Sequence, residues 1–526
     1  DLNGQTCESL GYHGGQLTCD VDCSFDQTAC EAVGRCGDGL VQEAFGESCD
    51  GAALDGQTCE SLGHHGGTLA CNGACSFDIS GCEFCGDGVI QSGYGEQCDG
   101  TALGGATCLA TDLFFGARAC DGACALTAGT CRNTELWGTL DSDVATAVAV
   151  DFQGNVYVAG NTWAAMDGQV HAGGIDAFLS KYNRYGVRQW TRLWGATGDD
   201  SIGGLAVDSS GNVYATGTTT LAFDGQTGAG GRDAFLTKWS ENGVKAWTRL
   251  WGTSGFDQAR AVTTDTLGNV YVTGVVAGAL PGQVSAGADD LFLVRFDALG
   301  NRTHTRQYGS SQSDTGAALA LDGLGNLYIA GYAAGAFGGQ LHVGGNDAFI
   351  MKVSASTGEP AWTRFLGTSA DDAASGVAVD AGGGVFVCGE TRGALDGNLA
   401  AGGADLFLTR ISATGDRQWT RQRGTINDDG ANALVAAPTG FVTLVGYTEG
   451  ALDGQPLAGS VDVTALGFSL DGVHQWTRTW GSTSAEYGHD LAADASGHAW
   501  IVGGTEGDLN GRPNTGDSDA FLLFIP

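Results

Sequence analysis

The stretch Asp200-Ser201-Ile202-Gly203-Gly204-Leu205-Ala206-Val207-Asp208-Ser209-Ser210-Gly211-Asn212-Val213-Tyr214-Ala215-Thr216-Gly217 reads as two short β-strands around a tight turn. Apolar and small residues fill both halves, and Asp-x-x-Gly-Asn sits between them. Asp caps such a turn with its side chain while Gly takes the left-handed position. The same turn recurs at Asp151–Asn155, Asp265–Asn269 and Asp322–Asn326. Working outward, the unit holds four β-rich runs, Gly204–Val207, Asn212–Thr218, Asp233–Trp239 and Lys245–Trp251. No helical periodicity lies between them, which excludes βαβ folds. A glycine closes each unit, following an aromatic residue in five of the seven, at Gly138, Gly195, Gly252, Gly309, Gly367, Gly424 and Gly481, with intervals of 57, 57, 57, 58, 57 and 57. Four antiparallel strands in each of seven units predict an all-β, seven-bladed β-propeller over residues 133–526.

The ends of this region are complementary. The last unit stops at Asp519-Ala520-Phe521-Leu522-Leu523-Phe524-Ile525-Pro526, which aligns with a third strand, and Thr134-Glu135-Leu136-Trp137 matches the end of a fourth. The N-terminal segment is therefore expected to complete the last blade and hide both sheet edges. The unit beginning at Asp200 resembles the seven-bladed beta-propeller repeat (SBBP) family, and the resemblance runs over residues 134–526. It implies the fold and little about activity, since propellers host many functions. The sixth unit departs most, with Ala437-Pro438-Thr439-Gly440 in place of the Asp turn.

Upstream, the chemistry changes. Of 17 cysteines, only Cys388 lies beyond residue 131. Cys36, Cys49, Cys59, Cys71, Cys75 and Cys82 repeat at the same spacings as Cys85, Cys98, Cys108, Cys120, Cys124 and Cys131. Cys7, Cys19, Cys23 and Cys30 reproduce the last four positions. This gives a partial module (residues 1–35) and two whole ones (36–84 and 85–132). The spacings lack paired C-x2-C knuckles and histidine ligand offsets, which disfavours zinc and favours disulfides in an oxidising compartment. If the opening fragment closes on itself, its four cysteines pair together. Cys36 then pairs with Cys49 and Cys85 with Cys98, and three connectivities stay open for the rest of each module. The start in mid-module suggests cleavage from a longer precursor. Cys36-Gly37-Asp38-Gly39 … Gly46-Glu47-Ser48-Cys49-Asp50 and its counterpart from Cys85 to Asp99 resemble the myxobacterial cysteine-rich (Myxo-disulfide) repeat family. That resemblance implies an exported, surface-associated protein.

Composition narrows the function. The 60 acidic and 24 basic residues leave a net charge of −36, which argues against nucleic acid. No apolar run reaches membrane-spanning length. Residues 1–131 carry 19 acidic and two basic residues, a net of −17, and the remainder 41 and 22, a net of −19. None of the nine histidines forms HExxH, and no GxSxG elbow or Walker loop occurs, so no catalytic residue is assigned. Trp-Thr-Arg recurs at Trp190, Trp247, Trp362, Trp419 and Trp476, with His304 substituting once, and its repetition marks a structural role. Cys388 takes a small strand position and reads as a buried free thiol.

The acidic loops are the candidate site. The second-to-third and fourth-to-first connections of each blade should open on one face. That face then gathers Asp199, Asp200, Asp257, Asp314, Asp371, Asp372, Asp428 and Asp429, followed by Asp176, Asp233, Asp347, Asp405 and Asp462 before the third strands. Oxygen-rich loops suit Ca²⁺; turn capping and solubility are the competing explanation, and the favoured one. The expected function is that of an exported, non-enzymatic structural or adhesive protein of the cell surface or extracellular matrix, self-assembling head to tail. Its partner is a second copy or surface glycans and proteins, with no cofactor unless Ca²⁺. A Ca²⁺-dependent glycan-binding module is the first alternative. An extracellular hydrolase or lyase on the loop face is the second.

Overall fold

In the computed structural model, which describes residues 2–526, the 57-residue repeat becomes seven four-stranded antiparallel sheets. Strand order follows sequence order in six of them. The innermost strands are Asp143–Val150, Asp200–Val207, Asp257–Thr264, Asp314–Leu321, Asp372–Val379, Asp429–Ala436 and Glu486–Ala493, and they define blades 1 to 7. Each innermost strand packs beside those of the neighbouring blades. The seventh blade is closed as expected. Thr134–Trp137 pairs antiparallel with Asp519–Ile525, with Leu136 opposite Phe521 and Thr134 opposite Leu523.

The core lies between blades, where the two faces of adjacent sheets meet. Trp194 of blade 1 stands edge-on to Trp239 of blade 2 at 5.0 Å, and Trp251 of blade 2 meets Phe296 of blade 3 at 5.4 Å. Burying a side chain of this size contributes about 1.5–3 kcal/mol. The Trp-Thr-Arg motif staples the outer edges. Arg249 lies over Trp247 at 4.9 Å and its Nε donates to the Gly300 carbonyl of the next blade at 2.6 Å. Arg192, Arg364 and Arg421 donate equivalently to Gly243, Gly415 and Gly472 at 2.8–2.9 Å. Glycine is required at the receiving turn. Gly300 has φ +80°, and a Cβ there would stand 2.8 Å from the Trp247 ring. The structural reading of Trp-Thr-Arg holds, and so does that of the Asp turns. Asp208 Oδ1 accepts the Ser210 and Asn212 N–H groups at 2.9 Å.

The cysteine-rich part, up to Thr111 together with Gly116–Cys131, forms a second compact unit. Asp112–Phe115 belongs instead to the propeller unit, where Phe114 stacks on Phe524 of blade 7 at 5.2 Å. Strands in the cysteine-rich unit are two residues long, so cross-links supply much of its order. Its pairing differs from the sequence expectation. Cys36 pairs with Cys75, Cys49 with Cys71 and Cys59 with Cys82; Cys85 pairs with Cys124, Cys98 with Cys120 and Cys108 with Cys131. The expected Cys36–Cys49 and Cys85–Cys98 bonds do not form. The reason is that the first half of each module lies across the Cys71–Cys75 or Cys120–Cys124 turn of the second half. The Ser48 and Gln97 N–H groups donate to the Cys75 and Cys124 carbonyls at 2.8 and 2.9 Å. In the opening fragment only Cys7–Cys30 forms, while Cys19 and Cys23 are free and exposed. The fragment does not close on itself.

No helix of the described residues is long and apolar enough to cross a membrane.

Candidate functional site

The fourth-to-first and second-to-third loops do share a face, and hydrogen bonds knit them together in every blade. Asp200 N–H donates to the Ile175 carbonyl at 2.7 Å, Asp257 N–H to Arg232 at 2.9 Å and Asp314 N–H to Asp289 at 2.8 Å. The innermost-strand carboxylates turn inward. Asp200, Asp257, Asp314, Asp372 and Asp429 are at most 1% exposed. One oxygen of each accepts the N–H four residues earlier, as from Ala196 to Asp200, Thr253 to Asp257 and Ser310 to Asp314, all at 2.5 Å. Third-strand carboxylates do the same: Asp176 accepts from Ala172 at 2.6 Å and Asp405 from Ala401 at 2.8 Å.

Asp199, Asp371 and Asp428 stand farther out. Asp199 faces Arg232 at 3.7 Å, Asp371 accepts the Asn346 N–H at 2.8 Å, and Asp428 pairs with Arg392 at 3.0 Å. That bond to Arg392 holds the Asp428 carboxyl below its usual range. The eight aspartates thus sit one or two at each of five blade junctions, each with at least one carboxylate oxygen hydrogen-bonded or ion-paired within the loops.

A pattern unseen in sequence accompanies them. At Gly138, Gly195, Gly252 and Gly309 a third-strand and an innermost-strand carboxylate converge on the glycine, as Asp176 with Asp200 at Gly195 and Asp290 with Asp314 at Gly309. Burial raises the Asp176, Asp200 and Asp314 carboxyls, the last to about 6, and a neighbouring carboxylate adds to the effect at Asp200 and Asp314. Oδ1 of Asp176, Asp290, Asp347, Asp405 and Asp519 is buried without a hydrogen-bond partner.

Down the axis, the innermost strands enclose a channel with a cavity of about 610 Å³. Every innermost strand carries a β-bulge at the same register, shown by the pairing shifts after Ala145, Ile202, Ala259, Gly316, Ala374, Ala431 and Gly488. A bulge leaves one residue out of the ladder and re-aims its side chain. The residues so released, Thr146, Gly203, Arg260, Ala317, Ser375, Asn432 and His489, all line the channel. They form a ring in which the repeat does not repeat.

The next position is Ala or Gly in six blades and Asp490 in the seventh. Asp490 accepts the Val148 N–H of blade 1 at 2.9 Å and the Leu491 N–H at 2.8 Å. Protein surrounds it although solvent reaches it, and burial pushes its carboxyl up to about 7. Burial also holds His489 at about 4, a neutral imidazole near neutrality. Arg260 supplies the cation, and its buried Nε has no partner. With Gln258 and Tyr332 also in the wall, the ring offers mixed donors and acceptors to a small polar solute. The sequence reading found no non-repeating His, Tyr and Arg set. Its signal was present, however, as a register where seven aligned blades hold seven different residues.

Cys388 is fully buried and burial pushes its thiol up, as a core thiol requires. Among the described residues, Cys36, Glu47 and Cys75, and likewise Cys85, Glu96 and Cys124, come together, but their sulfurs are in disulfides and are not thiolate ligands.

Four segments, residues 134–165, 189–221, 246–275 and 305–338, match the family described as "Beta-propeller repeat" (SBBP). These four segments are similar to that repeat. It is 26% identical over 329 residues to the regulatory protein FlaEY of Caulobacter vibrioides, covering 54% of this chain and 34% of that one. It is 29% identical over 177 residues to an uncharacterized WD repeat-containing protein of Acanthamoeba polyphaga mimivirus, covering 30% of this chain and 12% of the other. The chain thus spans about a third and about an eighth of these relatives. Among solved structures, the Pan2 WD40 domain of Neurospora crassa aligns with 74% of this chain and 98% of its own length, at 9% identity and a TM-score of 0.42.

Proposed function

We propose that the protein is an exported, non-enzymatic component of the cell surface or extracellular matrix that adheres through the acidic loop face of its propeller and self-assembles head to tail. One observation carries this reading. At the same position of four second-to-third loops stand Val170, Val284, Leu341 and Leu399, which are 88, 86, 85 and 90% exposed. Single exposed apolar side chains are ordinary. Recurrence at one register places four such side chains on one face, where a partner could cover them together. Seven disulfides suit an oxidising exterior. The test is binding of labelled protein to the surface of producing cells, beside a variant with Val170, Val284, Leu341 and Leu399 all changed to Asp. Loss of binding at unchanged melting temperature is expected. Equal binding by the variant, or none by the parent, would overturn the reading.

A second reading is Ca²⁺-dependent glycan binding, supported by the orphaned Oδ1 atoms of the carboxylate pairs, including Asp290 beside Asp314. A proton or a cation can satisfy such an oxygen, and oxygen ligands suit Ca²⁺. If a cation does, millimolar Ca²⁺ raises the melting temperature at pH 8, and chelator reverses it. No heat of binding in calorimetry at that pH leaves the proton as occupant.

A further inference from the structure

Both whole cysteine-rich repeats obey one rule. The first cysteine bonds the fifth, the second the fourth and the third the sixth. In the opening fragment the third and sixth positions are Cys7 and Cys30, and they are bonded. Cys19 and Cys23 hold the fourth and fifth positions and are exposed thiols. Elsewhere these two positions receive the two cysteines of a Cys-Gly-Asp-Gly … Cys-Asp half-repeat.

The receiving turn is already built. Cys23 is held at φ 69°, as Cys75 is at 52° and Cys124 at 55°. A non-glycine residue rarely takes this left-handed conformation. Cys23 N–H donates to the Asp20 carbonyl and Asp20 N–H to the Ser24 carbonyl, both at 3.0 Å, matching the Cys75–Asn72 and Asn72–Ser76 bonds at 3.0 Å. The rest of the fragment is in order as well. His13 Nε2 meets Glu47 Oε1 at 2.6 Å, as His65 Nδ1 meets Glu96 Oε1 at 2.8 Å at the next joint. Between the two thiols, Val21 is fully exposed.

We propose that the Cys19–Cys23 turn is a covalent docking site for a further half-repeat of the Cys-Gly-Asp-Gly … Gly-Glu-x-Cys-Asp type, its first cysteine bonding Cys23 and its second Cys19. The half-repeats at Cys36–Cys49 and Cys85–Cys98 are committed to their own modules, so the donor is another segment of this chemistry, on the same polypeptide or on a partner. Each new bond joins two thiols with loss of two protons and two electrons. A small-molecule disulfide such as glutathione disulfide accepts them and leaves as two thiols. The backbone adds an acceptor: the Cys75 and Cys124 carbonyls take an N–H from their half-repeats, and the Cys23 turn presents its carbonyl in the same conformation.

The proposal is independent of the loop-face reading. It is tested on the full chain, oxidatively folded, then incubated with a synthetic peptide of residues 36–50 in a glutathione redox buffer. The expected product carries one peptide per chain, at the summed mass less four hydrogens, with Cys23 mapped to the first peptide cysteine and Cys19 to the second. A peptide with altered cysteine spacing should give at least tenfold less doubly bonded product. A Cys19–Cys23 bond, glutathione caps without peptide, or equal yield from the altered peptide would overturn the proposal. Material from producing cells separates the two sources. A donor on the same polypeptide leaves the chain mass unchanged on reduction, and a donor on a partner releases a second chain. Titratable thiols at both Cys19 and Cys23 in that material would also overturn it.

Discussion

At position 490 a single side chain departs from six alanines or glycines, and its cost depends on pH. Burial raises the Asp490 carboxyl to about 7, against which two backbone N–H groups act. An unfolded Asp releases its proton near pH 4. Between these values the folded state holds a proton that the unfolded state has lost, so this group's contribution to stability is complete below about pH 4 and falls as pH rises through 7. The raised carboxyls Asp314, Asp200 and Asp257 act in the same direction. Asp265 and Asp322, lowered by the hydrogen bonds of their turns against desolvation, act oppositely: they stabilise above pH 4 and lose that contribution in acid. Asp490→Asn removes one charge cost and keeps the side chain's size. It should stabilise the propeller at pH 8 by about 2 kcal/mol relative to its effect at pH 5, after allowing for channel water. Denaturant unfolding at the two pH values checks this, and an effect equal at both would show that Asp490 is ionised throughout.

The strand Thr134–Trp137 matters to the ring more than its four residues suggest, because its tryptophan spans a seam. Trp137 sits in blade 7 but meets Phe178 and Tyr182 of blade 1 at 6.2 and 6.0 Å, and it is 8% exposed. Trp137→Ala opens a cavity there and should cost about 3–5 kcal/mol, read as a fall in denaturant midpoint. A loss below about 1 kcal/mol would mean that the ring closes without this contact. The pairing was legible in sequence because a third-strand pattern at Asp519 lacked a partner while Leu136-Trp137 matched the end of a fourth strand. Blade count and turns were legible for the same reason: each signal is local and recurs at a fixed period. The disulfides were not, because spacing restricts connectivity only through an assumption about closure, and Cys19 and Cys23 violate that assumption. The channel ring left a trace in sequence, seven different residues at one register, but its placement on the axis was hidden. Arg260 and His489 face the axis through a bulge, and a bulge is a property of strand register. The carboxylate pairs join residues about 24 apart in sequence, such as Asp176 and Asp200, which only the stacked loops bring together.

Across the whole molecule, cross-links and sheet edges divide the work of stability between two units. All seven disulfides join cysteines from Cys7 to Cys131, whereas the propeller has only the buried thiol of Cys388. Calorimetry should therefore show two transitions, and reductant should abolish the cysteine-rich one while leaving the propeller's within a few degrees. A propeller transition lost on reduction would contradict this division. Association is the remaining question at this scale, and charge sets its terms. The chain carries −36, divided as −17 up to residue 131 and −19 beyond. Two copies approaching at low ionic strength repel over a Debye length of about 30 Å at 0.01 M salt, falling to about 8 Å at 0.15 M. The apolar loop residues gain only on contact, at roughly 25 cal/mol per Å² buried, so screening must come first. A propeller leaves only short sheet edges at its rim, which favours loop faces and side surfaces for assembly. A contact between unlike surfaces that does not close on itself grows as a filament. Sedimentation velocity should therefore show monomer at low salt and larger species at 0.15 M salt or with millimolar divalent cation. The Asp substitutions at Val170, Val284, Leu341 and Leu399 should abolish the larger species. A strict monomer at high concentration with calcium present would reject self-assembly and leave a solitary binding module.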